Sequence, residues 1–138
     1  MMKYLIFTIL SLGIVTHDDH APDSVKVHQL VKTTRSWDGN LLPPYPKGQP
    51  EITILKIDVP PKTRLDMHQH PYINAGVLLQ GNLTVVTESG KTLHLKAGDP
   101  IVELVEKAHY GKNETDQPAQ IIVFYAGVKN KPITVKTK

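Results

Sequence analysis

From about Ser24 onward, apolar residues recur at alternate positions, in short runs spaced roughly ten residues apart. A period of two sends successive side chains to opposite faces of an extended strand, whereas a helix needs apolar residues three or four positions apart. The runs are EITILKIDV, TRLDMHQH, AGVLLQG, NLTVVTE, KTLHLKA, PIVELV, AQIIVFYAG and PITVKTK. Turn formers separate them: Gly81-Asn82, Glu88-Ser89-Gly90-Lys91, Gly98-Asp99-Pro100, and the loop from Asn113 to Pro118. Past the N-terminal segment no stretch carries helical spacing, and neither an internal repeat nor a low-complexity segment is visible. Seven or eight short strands bury their apolar faces by packing sheet on sheet or by closing into a barrel. The expected fold is therefore all-β, and 138 residues make one domain of it.

The N-terminus reads differently. Lys3 precedes an apolar stretch, Tyr4 to Val15, and the polar HDDHAPD follows. A positive start and a short apolar run mark a signal peptide, and this run is shorter than the roughly 18 to 20 residues that cross a bilayer. A signal peptide is expected over residues 1–16, cut after Ser11-Leu12-Gly13 or near Thr16, with an uncleaved anchor as the competing reading. The mature protein is then secreted or periplasmic, with no stable membrane insertion. Residues 17–50 are expected to form an N-terminal arm with a first strand, and residues 51–138 the barrel. Pro43, Pro44 and Pro46 exclude a central strand from the arm. The arm should cross the barrel surface with Trp37 and Tyr45 as anchors, or pack on a second subunit.

Composition removes several functions. The chain has no cysteine, so disulfide frameworks and thiol nucleophiles are out. Its net charge of +3 comes from scattered lysines, not a basic stripe interleaved with aromatics, and no nucleic-acid partner is expected. No Ser/His/Asp order or phosphate-binding glycine loop is present.

What stands out chemically is His68-Gln69-His70, with His109 heading HYGKN further along. On a strand, positions i and i+2 share a face, so two imidazoles can converge on one ion while Gln69 points away. A third histidine from another strand gives three neutral nitrogen ligands with coordination positions left open. Glu103 lies in the otherwise apolar PIVELV, where an unpaired buried carboxylate is costly. It either faces outward or enters the barrel beside the histidines, and alternation does not decide which. Tyr110 and Tyr125 are candidate acid/base or oxygen-orienting phenols, although packing also accounts for Tyr125. His94, between Leu93 and Leu95, should face solvent.

These residues resemble the two motifs of the cupins. The first runs His68-Gln69-His70, Pro71-Tyr72-Ile73, Asn74, six residues, Gly81; the second runs from Gly98 through His109 to Asn113. The resemblance implies a double-stranded β-helix, the jelly-roll barrel of a small single-domain cupin, with a metal on His68, His70 and His109. Three departures accompany it. Lys62 stands at the leading glycine, Leu104-Val105-Glu106 replaces Pro-x-Gly, and Asn74 replaces the usual glutamate ligand. Glu103 is the substitute carboxylate available within the motifs. Asn74, with Tyr110, is placed at the substrate pocket, where it could meet a substrate or a metal-bound water, or satisfy a backbone group.

The implied function is an exported metalloenzyme acting on a small molecule, a dioxygenase or a metal-assisted isomerase. The cofactor is a divalent transition metal, iron first, with manganese, nickel, copper or zinc as alternatives. A non-catalytic cupin that binds a metal or small ligand is the second reading. The family also implies a homodimer, formed through a sheet face or an exchanged arm.

Overall fold

The computed structural model describes residues 24–137, so both readings of residues 1–16 lie outside the described residues. It holds ten strands and, among these residues, no helix: β1 (Pro50–Val59), β2 (Thr63–Arg64), β3 (His68–Gln69), β4 (Asn74–Gln80), β5 (Asn82–Thr87), β6 (Thr92–Lys96), β7 (Pro100–Val102), β8 (His109–Asn113), β9 (Ala119–Val128) and β10 (Val135–Lys136). A four-stranded sheet runs β1-β9-β4-β7, and a six-stranded sheet runs β10-β3-β8-β5-β6 with β2 also paired to β8. Every pairing is antiparallel. The inner faces enclose Val59, Leu78, Leu83, Val85, Leu95, Ile121, Val123 and Tyr125. This is the all-β architecture expected from the alternating pattern, in the double-stranded β-helix form that the cupin resemblance implies.

The differences from the sequence reading are local. HYGKN is a full strand, β8, whose alternating burial turns His109, Gly111 and Asn113 inward. TRLDMHQH is not one strand: it breaks into the two-residue β2 and β3. The expected first strand in the arm does not form among the described residues, where Arg35–Leu41 is an isolated bridge. Pro43, Pro44 and Pro46 offer no N–H to a ladder, so the chain stays irregular until β1. Trp37 does anchor the arm: its backbone N–H donates to the Val102 carbonyl at 2.9 Å and its ring packs on the core. Tyr45 does not, being 81% exposed. Asp38 helps pin the same turn, 3.0 Å from the Lys107 ammonium. Burial alone would raise its pKa, but hydrogen bonds from Ser36, Lys107 and Asn40 hold it well below the usual carboxylate range. Further out, Val25, Val27 and Leu30 are exposed.

Backbone conformation accounts for the motif positions. Gly81 has φ +74°, and a Cβ there would lie 2.5 Å from the Pro118 carbonyl oxygen. Gly98, at φ +95°, has nothing within 4 Å of that point. Lys62 and Glu106, which stand where the cupin motifs carry glycine, keep the left-handed conformation at φ 54° and 56°. The second turn thus adopts at Glu106 a backbone conformation that favours glycine. Asn113 is buried, and its amide donates to the Val59, Pro60 and Gln117 carbonyls while its oxygen accepts from the Thr115 N–H and hydroxyl. That one side chain ties the end of β1 to the loop between β8 and β9.

The two motif glycines should therefore respond unequally to alanine. Gly98→Ala pays only the left-handed backbone term, about 1–2 kcal/mol, whereas Gly81→Ala adds a clash with backbone and should lose clearly more. Conversely, Glu106→Gly relieves an exposed left-handed residue and should stabilise the fold by about 1 kcal/mol. Urea unfolding midpoints of the three variants check the order.

Candidate metal centre

His68 on β3 and His109 on β8 are direct cross-strand partners, which brings their side chains together on the inner face. His70 follows β3, and the Glu106 N–H holds its carbonyl at 2.8 Å. The ring centroids lie 4.7 Å apart for His68–His109 and 5.0 Å for each of the other pairs. One ligand nitrogen from each ring falls within 4.8 Å of the other two. The spacing His-x-His and the register of β3 on β8 together make the cluster.

Each ring is fixed through Nδ1. His68 Nδ1 lies 2.7 Å from the Asp66 carbonyl oxygen, His70 Nδ1 is 3.1 Å from that of Ile133, and His109 Nδ1 is 2.8 Å from that of Lys107. A carbonyl only accepts, so each Nδ1 carries the proton and each Nε2 presents a lone pair. The Thr134 hydroxyl also reaches His70 Nδ1, at 3.2 Å. Burial lowers the pKa of all three histidines, that of His70 to about 4. At neutral pH the rings are uncharged, the state in which imidazole ligates a metal.

Glu103 faces inward. It lies just beyond β7, buried, with its Oε2 3.5 Å from His109 Nε2. Its backbone N–H donates to the Asn74 carbonyl at 3.0 Å, so the carboxylate is delivered from the residue alongside the family's usual position. Burial raises its pKa to about 7, offset in part by the Leu104 N–H, His68 and Trp37. The Trp37 indole N–H is nonetheless buried without a hydrogen-bond partner of normal geometry. Asn74 is buried with its amide nitrogen 3.2 Å from the Tyr72 carbonyl, while its Oδ1 has no partner.

Tyr110 is placed elsewhere. It alternates with the inward His109 and Gly111 on β8, and its ring stacks on the Arg64 guanidinium at 3.8 Å. Tyr125 lines the cavity instead, 5.4 Å from the His70 ring centroid, its phenol pKa raised by burial to about 12. His94 is exposed and bonded to the Thr84 hydroxyl at 3.1 Å, outside the cluster. Thr134 and the Ile133 carbonyl support His70 across more than sixty residues of chain, and no local sequence signal marks them.

The residues present fit a divalent cation. Three lone pairs converge, His109 Nε2 is buried with no hydrogen-bond partner, and a buried carboxylate stands beside neutral rings with no cation to balance it. Orphaned acceptors of this kind are costly unless something electropositive meets them.

Residues 55–125 match the family model of the cupin domain, a span that contains all four of these side chains. No curated protein matches by sequence. Among solved structures, a cupin-like protein from Thermotoga maritima superposes with a TM-score of 0.57 at 17% identity, covering 62% of this chain and 64% of that one. An uncharacterized conserved protein with a double-stranded β-helix domain from Klebsiella pneumoniae gives 0.55 at 17% identity, covering 67% and 88%. Oxalate oxidase in complex with the substrate analogue glycolate gives 0.54 at 20% identity, covering 62% of this chain but 46% of that one. The chain thus spans less than half of the oxidase, and these likenesses speak for the fold.

Glu103→Gln in the metal-free protein tests the electrostatics. The folded-state pKa is raised from 4.5 to about 7, so across that window the native state holds more proton than the unfolded state and loses stability as pH rises. The variant should match the parent near pH 4.5 and exceed it by about 1–3 kcal/mol at pH 8, read from unfolding curves at both pH values.

Proposed function

This chain belongs to the cupin domain family, and on that premise we propose that it holds a divalent transition metal on His68, His70 and His109 and uses it on a small molecule inside the barrel. The observation that carries the proposal is the set of three Nδ1 contacts to backbone carbonyls, which aims three Nε2 lone pairs at one region. Iron is the first expectation, with manganese, nickel, copper and zinc behind it. Such an ion, when bound, supplies open coordination positions for redox or Lewis-acid chemistry.

The chain's own residues do the rest. Glu103 supplies the negative charge that Asn74 does not, and near neutrality it can take or give a proton. Asn74 Oδ1, buried and unpartnered, can accept a hydrogen bond from a substrate hydroxyl or amine. Tyr125 stays protonated and donates through its hydroxyl. Val85, Val123 and Leu55 line the cavity and make its walls apolar. Dioxygenase-like turnover is the reading we favour over simple ligand storage, because a carboxylate and an orphaned amide oxygen flank the histidines. Export through the apolar N-terminus, and a homodimer, belong to the same proposal.

Metal analysis of purified protein should find about one ion per chain. His68→Asn or His109→Asn should weaken uptake at least a hundredfold, and Glu103→Gln about tenfold or more. Oxygen consumption with a panel of diols, phenols and thiols then separates enzyme from binding module. A metal-loaded protein inert across the panel would favour the binding role, and absence of any stoichiometric metal would defeat the proposal.

A further inference from the structure

The cavity that opens from the histidines has a volume of about 490 Å³, far more than a metal and its water need. It is chemically divided. His68, His70, His109, Glu103 and Asn74 make one end, and Leu55, Ile57, Leu65, Leu83, Val85 and Val123 make most of the rest. Arg64, Asp66 and Lys136, all largely exposed, stand at the margin. A small polar molecule such as a two-carbon dicarboxylate would meet the first end and leave the aliphatic walls without a partner.

Gly111 lies between the two ends. It is two residues from His109 on β8 and shares its face. Its φ is outside the left-handed region, and a Cβ there would meet only the Leu65 and Leu83 Cδ1 atoms, at 3.4 and 3.8 Å. Gly76, across the barrel on β4, is different: a Cβ on it would lie 2.4 Å from the Ile122 carbonyl oxygen, so close strand packing requires glycine there. Nothing in the backbone requires it at position 111. What glycine gives at that point is room beside the histidines, the situation in which a strand glycine marks a close-lying ligand.

We infer that the site takes an amphipathic small molecule, with an oxygen-bearing head at the histidines and an apolar body over Gly111 against Leu65 and Leu83. Gly111 sets the girth of that body. The position of the head rests on the metal reading; the apolar body rests on the cavity alone.

Straight-chain monocarboxylates from acetate to decanoate, with oxalate for comparison, test the inference by calorimetry on zinc-loaded and metal-free protein. Affinity should climb about fourfold per methylene until the cavity is filled, and oxalate should gain nothing from it. Gly111→Ala should trim the gain for the longer chains, and Gly111→Val should remove at least tenfold of it while acetate changes little. The alanine variant, whose Cβ makes only ordinary contacts, serves if valine compromises folding. Affinity independent of chain length would overturn the apolar body, and unchanged long-chain binding in both variants would overturn the role of Gly111. If zinc fails to bind but the chain-length gain persists in the metal-free protein, the metal reading falls and the apolar body stands.

Discussion

Three backbone carbonyls, those of Asp66, Lys107 and Ile133, decide the character of this site by taking the Nδ1 protons of three histidines. Without those contacts the rings could present either nitrogen, or rotate to find water. With them, the lone pairs are aimed before any ligand arrives, and the entropy of assembling the site is spent during folding. The carbonyls come from three separate stretches of chain, before β3, before β8 and before β10. The site is therefore only as rigid as the pairing of those strands, and the direct opposition of His68 and His109 is the pairing on which most rests.

Strand register in turn depends on turns in which non-glycine residues hold left-handed backbone. Lys62 and Glu106 adopt left-handed backbone at positions where a glycine is cheaper. Lys62 recovers some of that cost through its ammonium, 2.9 Å from the Glu114 carbonyl and 3.1 Å from Asp116. Glu106 has a structural return of another kind, since its N–H fixes the carbonyl of His70. This strained turn lies three residues before His109, at the start of β8.

Sequence alone made the sheet pattern and the His68–His70 pair legible, because both rest on local periodicity: alternate burial along β4, β8 and β9, and the i, i+2 rule; His109 joined them only through the motif resemblance. Sequence could not place Glu103, because Ile101 and Val105 on one face of the segment and Val102 and Leu104 on the other are all apolar, so alternation favours neither face. Tyr110 was misplaced because β8 is a strand in its own right, and the phase set by His109 turns the next residue outward. Tyr45 looked like an anchor by composition, but aromatic character carries no information about which surface lies within reach. Thr134 was invisible for the opposite reason: its partner His70 is 64 residues away in sequence, and its contact exists only once β10 pairs with β3.

Asn74, at the position where the cupin motif carries its glutamate, and the inward-facing Glu103 belong to one arrangement. The two residues are joined by the Glu103 N–H to Asn74 carbonyl contact, so they sit side by side on neighbouring segments of one sheet. Moving the charge by that one step keeps a single acidic group at the histidines. It also puts an amide at position 74, whose nitrogen is 3.2 Å from the Tyr72 carbonyl and whose oxygen is buried without a partner. A carboxylate at position 74 could only accept and would compete for the cation. An amide there would leave a bound cation to the three histidines with Glu103 beside them, and keeps an uncharged acceptor at that position. An amide at 74 and a carboxylate at 103 thus place a neutral acceptor on one strand end and the acidic group on the next.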